Sequence, residues 1–331
     1  MNKEFLELVG LDFYEPQEFK EKNVKLRNGD DALLWVHTKT GHGILDKKNW
    51  IDSVYTDYYE DNYRKNSSAN SDGSNFKSDT HFDLYRVVNK KQFDHVRPYL
   101  SNSAKYLEIG PSFGGVLSNV LSHGISECHC VEPNKSDCNY IKSKYDNVTI
   151  YNSKIEDTKL QPAYYDIITS FEVLEHMVSV KSYLQTCFNA LKMNGNIIIE
   201  VPNHNDVLLS CYKSPRYKKF YYHNAHIHYF TTTSLIDICN KYGFDGSVES
   251  FQIYPFFNHV NWCINDTPQS SAEDAINTPI PTNGNSTEQI AINNFYKKVE
   301  LMYDDLINDF KLGGEIIFKG KKNNIQNSNL Q

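Results

Sequence analysis

The chain has 331 residues, enough for one large α/β domain with extensions or for two small domains. Its net charge of −7 argues against general nucleic-acid binding, which favours a basic face, and its seven cysteines form no Cys-x-x-Cys pair, so they read as reduced thiols filling a core. No apolar run follows Met1-Asn2-Lys3-Glu4. No stretch reaches the about 18 apolar residues of a membrane span, so a cytoplasmic globular protein is expected.

Residues 1–75 show no sustained period and read as irregular. The aromatic run 50–63 is a candidate lid over an acceptor, with Tyr55, Tyr58 and Tyr59 as its contacts, against ordinary packing as the alternative. A polar loop over Asn66–Ser74 precedes a predicted helix from about Asp79 to Leu100, whose apolar side carries Phe82, Tyr85, Val88, Phe93 and Val96. Strands are predicted at 106–110, 127–132, 147–152, 165–171 and 196–201, with helices between them. The clearest helix carries Val180, Tyr183, Leu184, Cys187, Phe188 and Leu191 on one face. This alternation predicts parallel crossovers and a sheet covered on both faces. Beyond it come a helix over Thr232–Tyr242 stopped by Gly243, a strand-like segment at 247–257, and a mobile loop rich in Asn, Ser, Thr and Pro at 265–289. An amphipathic helix then carries Phe295, Val299, Met302, Tyr303, Leu306 and Phe310, followed by a strand-like Glu315–Lys319 and a polar tail from Lys321.

The run Tyr106-Leu107-Glu108-Ile109-Gly110-Pro111-Ser112-Phe113-Gly114-Gly115 reads as a buried strand ending in a carboxylate, a glycine-rich turn and a helix start. Glu132 ends the second strand, 24 residues after Glu108, where an acid can accept two hydrogen bonds from a ribose diol. Ile155 follows the third strand, where an adenine could rest, and Ser170-Phe171-Glu172-Val173-Leu174-Glu175-His176-Met177 sets two acids and an imidazole at the end of the fourth. The segment Lys213–Phe230 is dense in cations, aromatics and imidazoles, so Arg216, Lys218 or Lys219 could meet an anionic group of an acceptor; a solvated basic loop is the alternative. Histidines that could take a proton from an alcohol are His176, His204, His223, His226 and His228. His226 and His228 point the same way only in a strand, and no third ligand follows at a metal-binding spacing.

Taken in order, Glu108-Ile109-Gly110-Pro111-Ser112-Phe113-Gly114, Val131-Glu132-Pro133, Phe171-Glu172-Val173-Leu174-Glu175-His176 and Leu191-Lys192-Met193-Asn194-Gly195 resemble a class I S-adenosylmethionine-dependent methyltransferase, near the quinone-biosynthesis O-methyltransferases and bacterial sugar methyltransferases. The resemblance covers about residues 80–260, and it departs from the family at Ser112, where a glycine is common, and at Asn194-Gly195, in place of Pro-Gly-Gly. It implies a Rossmann-like α/β fold: a seven-stranded sheet with helices on both faces, its last strand antiparallel and formed by 315–319, with 265–312 inserted before it. The implied cofactor is S-adenosyl-L-methionine, with Glu108 by the methionine amino group, Gly110, Ser112 and Gly114 shaping the pocket, Glu132 on the ribose, Ile155 and Glu156 by the adenine, and Phe171 completing the cofactor set. On this reading 1–78 is an N-terminal extension, 79–262 the cofactor-binding core, 263–320 a loop, helix and closing strand, and 321–331 a flexible tail. His176, His228 and His226 are the candidate catalytic bases, while Tyr55, Tyr59, Arg216 and Tyr222 are the candidate acceptor contacts. Related quinone enzymes suggest a divalent ion near Glu172, Glu175 and His176; the same residues can work without one, and no metal is assigned. The expected reaction is O-methylation of a sugar or nucleotide-linked sugar, with a quinone-like phenol, an amine acceptor or a non-catalytic cofactor-binding scaffold as alternatives. The expected partner is a small molecule, not nucleic acid or membrane, with a homodimer left open.

Overall fold

The computed structural model describes residues 1–50, 82–277 and 282–323. The first 50 residues are not irregular: they hold a helix at Lys3–Leu8 and the antiparallel strands β1 (Phe19–Lys25), β2 (Asp31–His37) and β3 (Gly43–Leu45). Their period is hard to read because β1 buries only Phe19 and Val24, and β3 has three residues. Pairing with distant chain completes them, since β3 meets β9 (His228–Tyr229) to close a sheet ordered β1-β2-β3-β9.

The main sheet contains β4 (Lys105–Ile109), β5 (Glu127–Val131), β6 (Val148–Tyr151), β7 (Tyr165–Phe171), β8 (Leu191–Pro202), β10 (Phe244–Phe251) and β11 (Glu315–Lys322). Its order is β10-β11-β8-β7-β4-β5-β6, with β11 antiparallel to both of its neighbours. This is the seven-stranded Rossmann-like sheet implied by the resemblance, closing strand included. Tyr106, Leu107, Ile168 and Ile197–Ile199 are fully buried because helices cover both faces. Strand order reverses between β4 and β7, so the crevice beyond their carboxyl ends is the expected ligand site.

Several boundaries moved for local reasons. The helix predicted from Asp79 to Leu100 is regular over Arg86–Val96 and tightens to a 3-10 turn at Arg97–Tyr99, where Pro98 lacks an N–H to continue it. The strand-like 247–257 is divided: β10 ends at Phe251, and Pro255 caps a helix at Phe256–Asn265 that periodicity missed. Within the expected loop 265–289, Ser271 caps a short helix at Ala272–Ile276. The segment Leu191–Gly195 is the irregular start of β8, with Asn194 at φ +62° and a register shift against β7. All seven cysteines are unpaired. Among the described residues no helix is long and apolar enough to cross a membrane.

The helix at Thr287–Asp309 reaches β11 through a tight turn held by Asn203. That fully buried amide donates to Lys311 O at 3.1 Å and Gly313 O at 2.8 Å, while its own backbone N–H donates to Gly314 O at 2.8 Å. Asn203→Ala strands the buried Gly313 carbonyl and releases the part-buried Lys311 carbonyl, and should lower stability by about 2 kcal/mol. Urea unfolding measures it, and an unchanged midpoint would show that the turn stands without this clamp.

Candidate active site

The turn after β4 is built by backbone conformations that side chains resist. Gly110 has φ +69°, and a Cβ there would stand 2.5 Å from Val173 Cγ2. Gly114, at φ +77°, precedes the helix Gly115–Ser122, and Ser112 itself sits at φ +54°. Glu132 staples this turn to β5: it accepts the Ser112 N–H at 3.0 Å and the Asn134 N–H at 2.8 Å.

A cavity of about 560 Å³ opens along the carboxyl edge of the sheet. At one end it is lined by Glu108, Gly110, Ser112, Glu132, Ile155 and Glu156, with Phe171 at its centre. Of the predicted cofactor residues only Gly114 is absent from the wall; it acts from behind, facing Ile141. Glu108 is 2% exposed and accepts from the Tyr106 hydroxyl at 3.2 Å, and burial pushes its carboxyl up to about 8. Such a carboxylate favours a cationic guest. Burial raises Glu156 as well. A buried carboxyl that a cation would stabilise in its ionised form, glycines that admit close approach, and a carboxylate beside the turn together fit S-adenosylmethionine, whose methionine end is cationic and whose ribose carries a diol.

The other end is lined by Glu172, His176, His226, Glu315 and Tyr254, with Arg27 at the wall. Arg27 comes from the turn between β1 and β2 and lies over the Phe220 ring at 4.0 Å. The Glu172, Glu200 and Glu315 carboxylates converge from β7, β8 and β11, within 4.8 Å of one another. Gln92 donates to Glu200 at 2.8 Å, yet one oxygen of each carboxylate has no hydrogen-bond partner. Burial, then the charge of neighbouring acids, raises all three above the usual carboxylate range. Glu175, also raised by burial, faces His176 Nε2 at 3.5 Å. The Ala225 carbonyl accepts from His176 Nδ1 at 2.9 Å, so the proton sits on Nδ1 and Nε2 is the basic nitrogen. Burial pushes His176 down to about 4, leaving the ring neutral at neutral pH. Two groups of side chains could hold a cation here: Glu172 with Glu200 and Glu315, or Glu175 with His176 and His226.

A short ladder positions the imidazoles: Ile227 N–H donates to Glu175 O at 2.8 Å, and Leu45 N–H to Ile227 O at 2.8 Å. The small sheet thereby sets His176 and His226, whose rings meet edge to face at 4.7 Å. The same sheet draws His228 away from the cavity. It is 1% exposed, bound to His42 Nε2 at 3.2 Å and to the Val178 carbonyl at 3.4 Å. Tyr222 is 1% exposed and off the cavity wall as well, its hydroxyl held by Lys22 at 2.8 Å and His204 at 3.2 Å. Arg216 is exposed in the first turn of the helix Pro215–Tyr221, where Asp266 accepts its backbone N–H at 3.1 Å; it too is off the wall, so the basic segment does not bring it to the cavity. Tyr55, Tyr58 and Tyr59 lie outside the described residues. Sequence reasoning missed Arg27, Tyr254, Glu200 and Glu315. A carboxylate inside the apolar runs Ile197–Val201 and Glu315–Phe318 was the one available signal.

Gly110→Ala forces a left-handed alanine into Val173 and should cost at least about 2 kcal/mol. A melting temperature within a degree of wild type would mean that the turn relaxes freely.

A family model described as a methyltransferase domain matches residues 44–247. A probable S-adenosylmethionine-dependent methyltransferase of Mycolicibacterium smegmatis is 25% identical over 64 residues, 19% of this chain and 25% of that protein, so the match spans about a quarter of the curated relative's length. Among solved structures, a SAM-dependent methyltransferase from Archaeoglobus fulgidus is 19% identical with a TM-score of 0.48, covering 72% of this chain and 94% of that one. Phosphoethanolamine N-methyltransferase 2 of Haemonchus contortus, solved with S-adenosyl-L-methionine, is 16% identical with a TM-score of 0.47, covering 74% of this chain and 57% of that one. With its family model matched over residues 44–247, the chain belongs to the methyltransferase-domain family, the class I S-adenosylmethionine-dependent methyltransferases.

Proposed function

We propose that this methyltransferase methylates a hydroxyl group of a small polyhydroxylated acceptor, a sugar or a nucleotide-linked sugar. The observation that carries this reading is the fixed tautomer of His176, neutral and basic at Nε2 beside the buried Glu175 carboxyl. An alcohol must lose its proton as the new bond to carbon forms, and a neutral imidazole at the cavity wall is suited to take it. S-adenosylmethionine, when bound, supplies an electrophilic methyl group on a sulfonium. The chain's own residues hold the acceptor in line and receive the proton at Nε2. Glu172 and Glu315 offer acceptor oxygens for sugar hydroxyls, Tyr254 offers a ring for a sugar face, and Arg27 offers a guanidinium for the phosphates of a nucleotide-linked acceptor. In the cofactor half, Glu108 meets the methionine ammonium, Glu132 the ribose diol, and Ile155 with Glu156 the adenine, while Phe171 stands between the two halves. The convergence of Glu172, Glu200 and Glu315 also favours a second reading, N-methylation of an amine held as its ammonium by these acids. Incubating the protein with labelled cofactor and nucleotide-linked sugars, then locating the methyl group by mass spectrometry, tests the proposal. An O-methyl sugar is expected, and methylation only of nitrogen or of phenols overturns it.

Two further outcomes follow from the titrating groups. Glu108 stands near 8 before the cofactor binds, and only its ionised form attracts the ammonium. Cofactor affinity should therefore rise with pH up to about 8 and fall about tenfold per unit below it. Calorimetric titration of wild type and Glu108→Gln reads this slope, which the variant should lose; equal slopes would exclude Glu108 as the titrating group. His176→Ala should lower kcat by about 10²- to 10⁴-fold with cofactor affinity unchanged. Retention of the full rate would remove His176 from the reaction.

A further inference from the structure

Among the described residues, the helix Thr287–Asp309 packs on the domain by one side only. There Tyr303 and Ile307 are buried, Tyr296 stacks on Phe257 with ring centroids 5.0 Å apart, and Glu300 accepts the Phe256 N–H at 3.0 Å. A second apolar stripe runs beside that seam and is left uncovered. Ile292 is 44% exposed, Phe295 61%, Met302 71%, Leu306 54% and Phe310 67%, with half-buried Val299 in line with them. From Ile292 to Leu306 the steps are three, four, three and four residues, the spacing of the seam between two paired helices. At 100° per residue Phe295, Val299, Met302 and Leu306 fall within an arc of roughly 60°.

We propose that this stripe is the dimer interface of the protein, formed by antiparallel pairing of the helix with the same helix of a second copy. The charges flanking the stripe choose this partner. The two lysines, Lys297 and Lys298, lie before Glu300, whereas Asp304, Asp305 and Asp309 lie after it. A two-fold axis near the helix centre sets Phe295 against Leu306 of the second copy and Val299 against Met302. The same register brings Lys298 opposite Asp305 twice. Both side chains lie on the exposed flank, and among the described residues neither forms an ion pair within the chain. A parallel pair would instead align like charges. An anionic membrane is the poorer occupant, because the helix carries two lysines against five acids.

Sedimentation velocity on the full chain tests the proposal. Wild type should sediment as a dimer at micromolar concentration. Met302→Asp, which alters an exposed position, should give a monomer whose circular dichroism matches wild type. Lys298→Glu should weaken the dimer about tenfold or more, and adding Asp305→Lys to it should restore the affinity. A monomeric wild type overturns the proposal, as does a dimer indifferent to Met302→Asp. Failure of the double charge reversal to rescue Lys298→Glu overturns the antiparallel register.

Discussion

Desolvation of carboxylates at the carboxyl edge of the sheet is the constraint around which this molecule is arranged. Glu108, Glu175 and Glu200 are each at most 2% exposed, and Glu315 is 8% exposed. Burial is the first cause of the raised proton affinity of every one of them. A bare carboxylate in such surroundings costs several kcal/mol, so it keeps a proton or meets a cation or a hydrogen-bond donor. The cofactor of this family carries positive charge and hydroxyl groups, the chemistry such an edge favours. The same property that makes a bare carboxylate costly there thus makes the edge selective. Few protein donors are spent there: Tyr106 serves Glu108 and Gln92 serves Glu200.

The additions to the seven-stranded sheet act on this edge. The N-terminal sheet does so through the ladder Leu45–Ile227–Glu175, which fixes the turn bearing His176. The insertion does so from the other side. Gln252 donates to His259 Nε2 at 3.0 Å, leaving Nδ1–H to face the Tyr303 hydroxyl at 2.7 Å, and the Gln252 side-chain Oε1 accepts the Gly314 N–H at 2.8 Å. Glu315 follows directly. An acid of the cavity is therefore held in place by a helix that lies on the outer surface of the domain.

The legible part of the chain is the part whose function depends on local spacing. Strand, glycine turn and helix from Tyr106 to Gly115 are one contiguous unit, and so is the step from β5 to Glu132; each can be read from neighbours in sequence. Seven of the eight expected cofactor residues stand on the cavity wall for that reason. The other end of the cavity is different, since its residues are Arg27, Glu172, Tyr254 and Glu315, which meet only through folding. The basic segment could be read either as a pocket or as a solvated loop, and the helix Pro215–Tyr221 leaves Arg216 exposed and off the cavity wall.

By itself the sequence determined the alternation of strands and helices, the family, the cofactor, and the glycine turn that lines the cavity. These rest on apolar periodicity and on residues within one strand–turn–helix unit, where covalent connection sets the geometry. Only the tertiary structure decided which histidine stands at the cavity and which acids share it. His176 and His228 are alike as residues. Pairing of β3 with β9 buries one against His42 and leaves the other on the cavity wall. That choice depends on hydrogen bonds between segments some 180 residues apart, which no local pattern encodes.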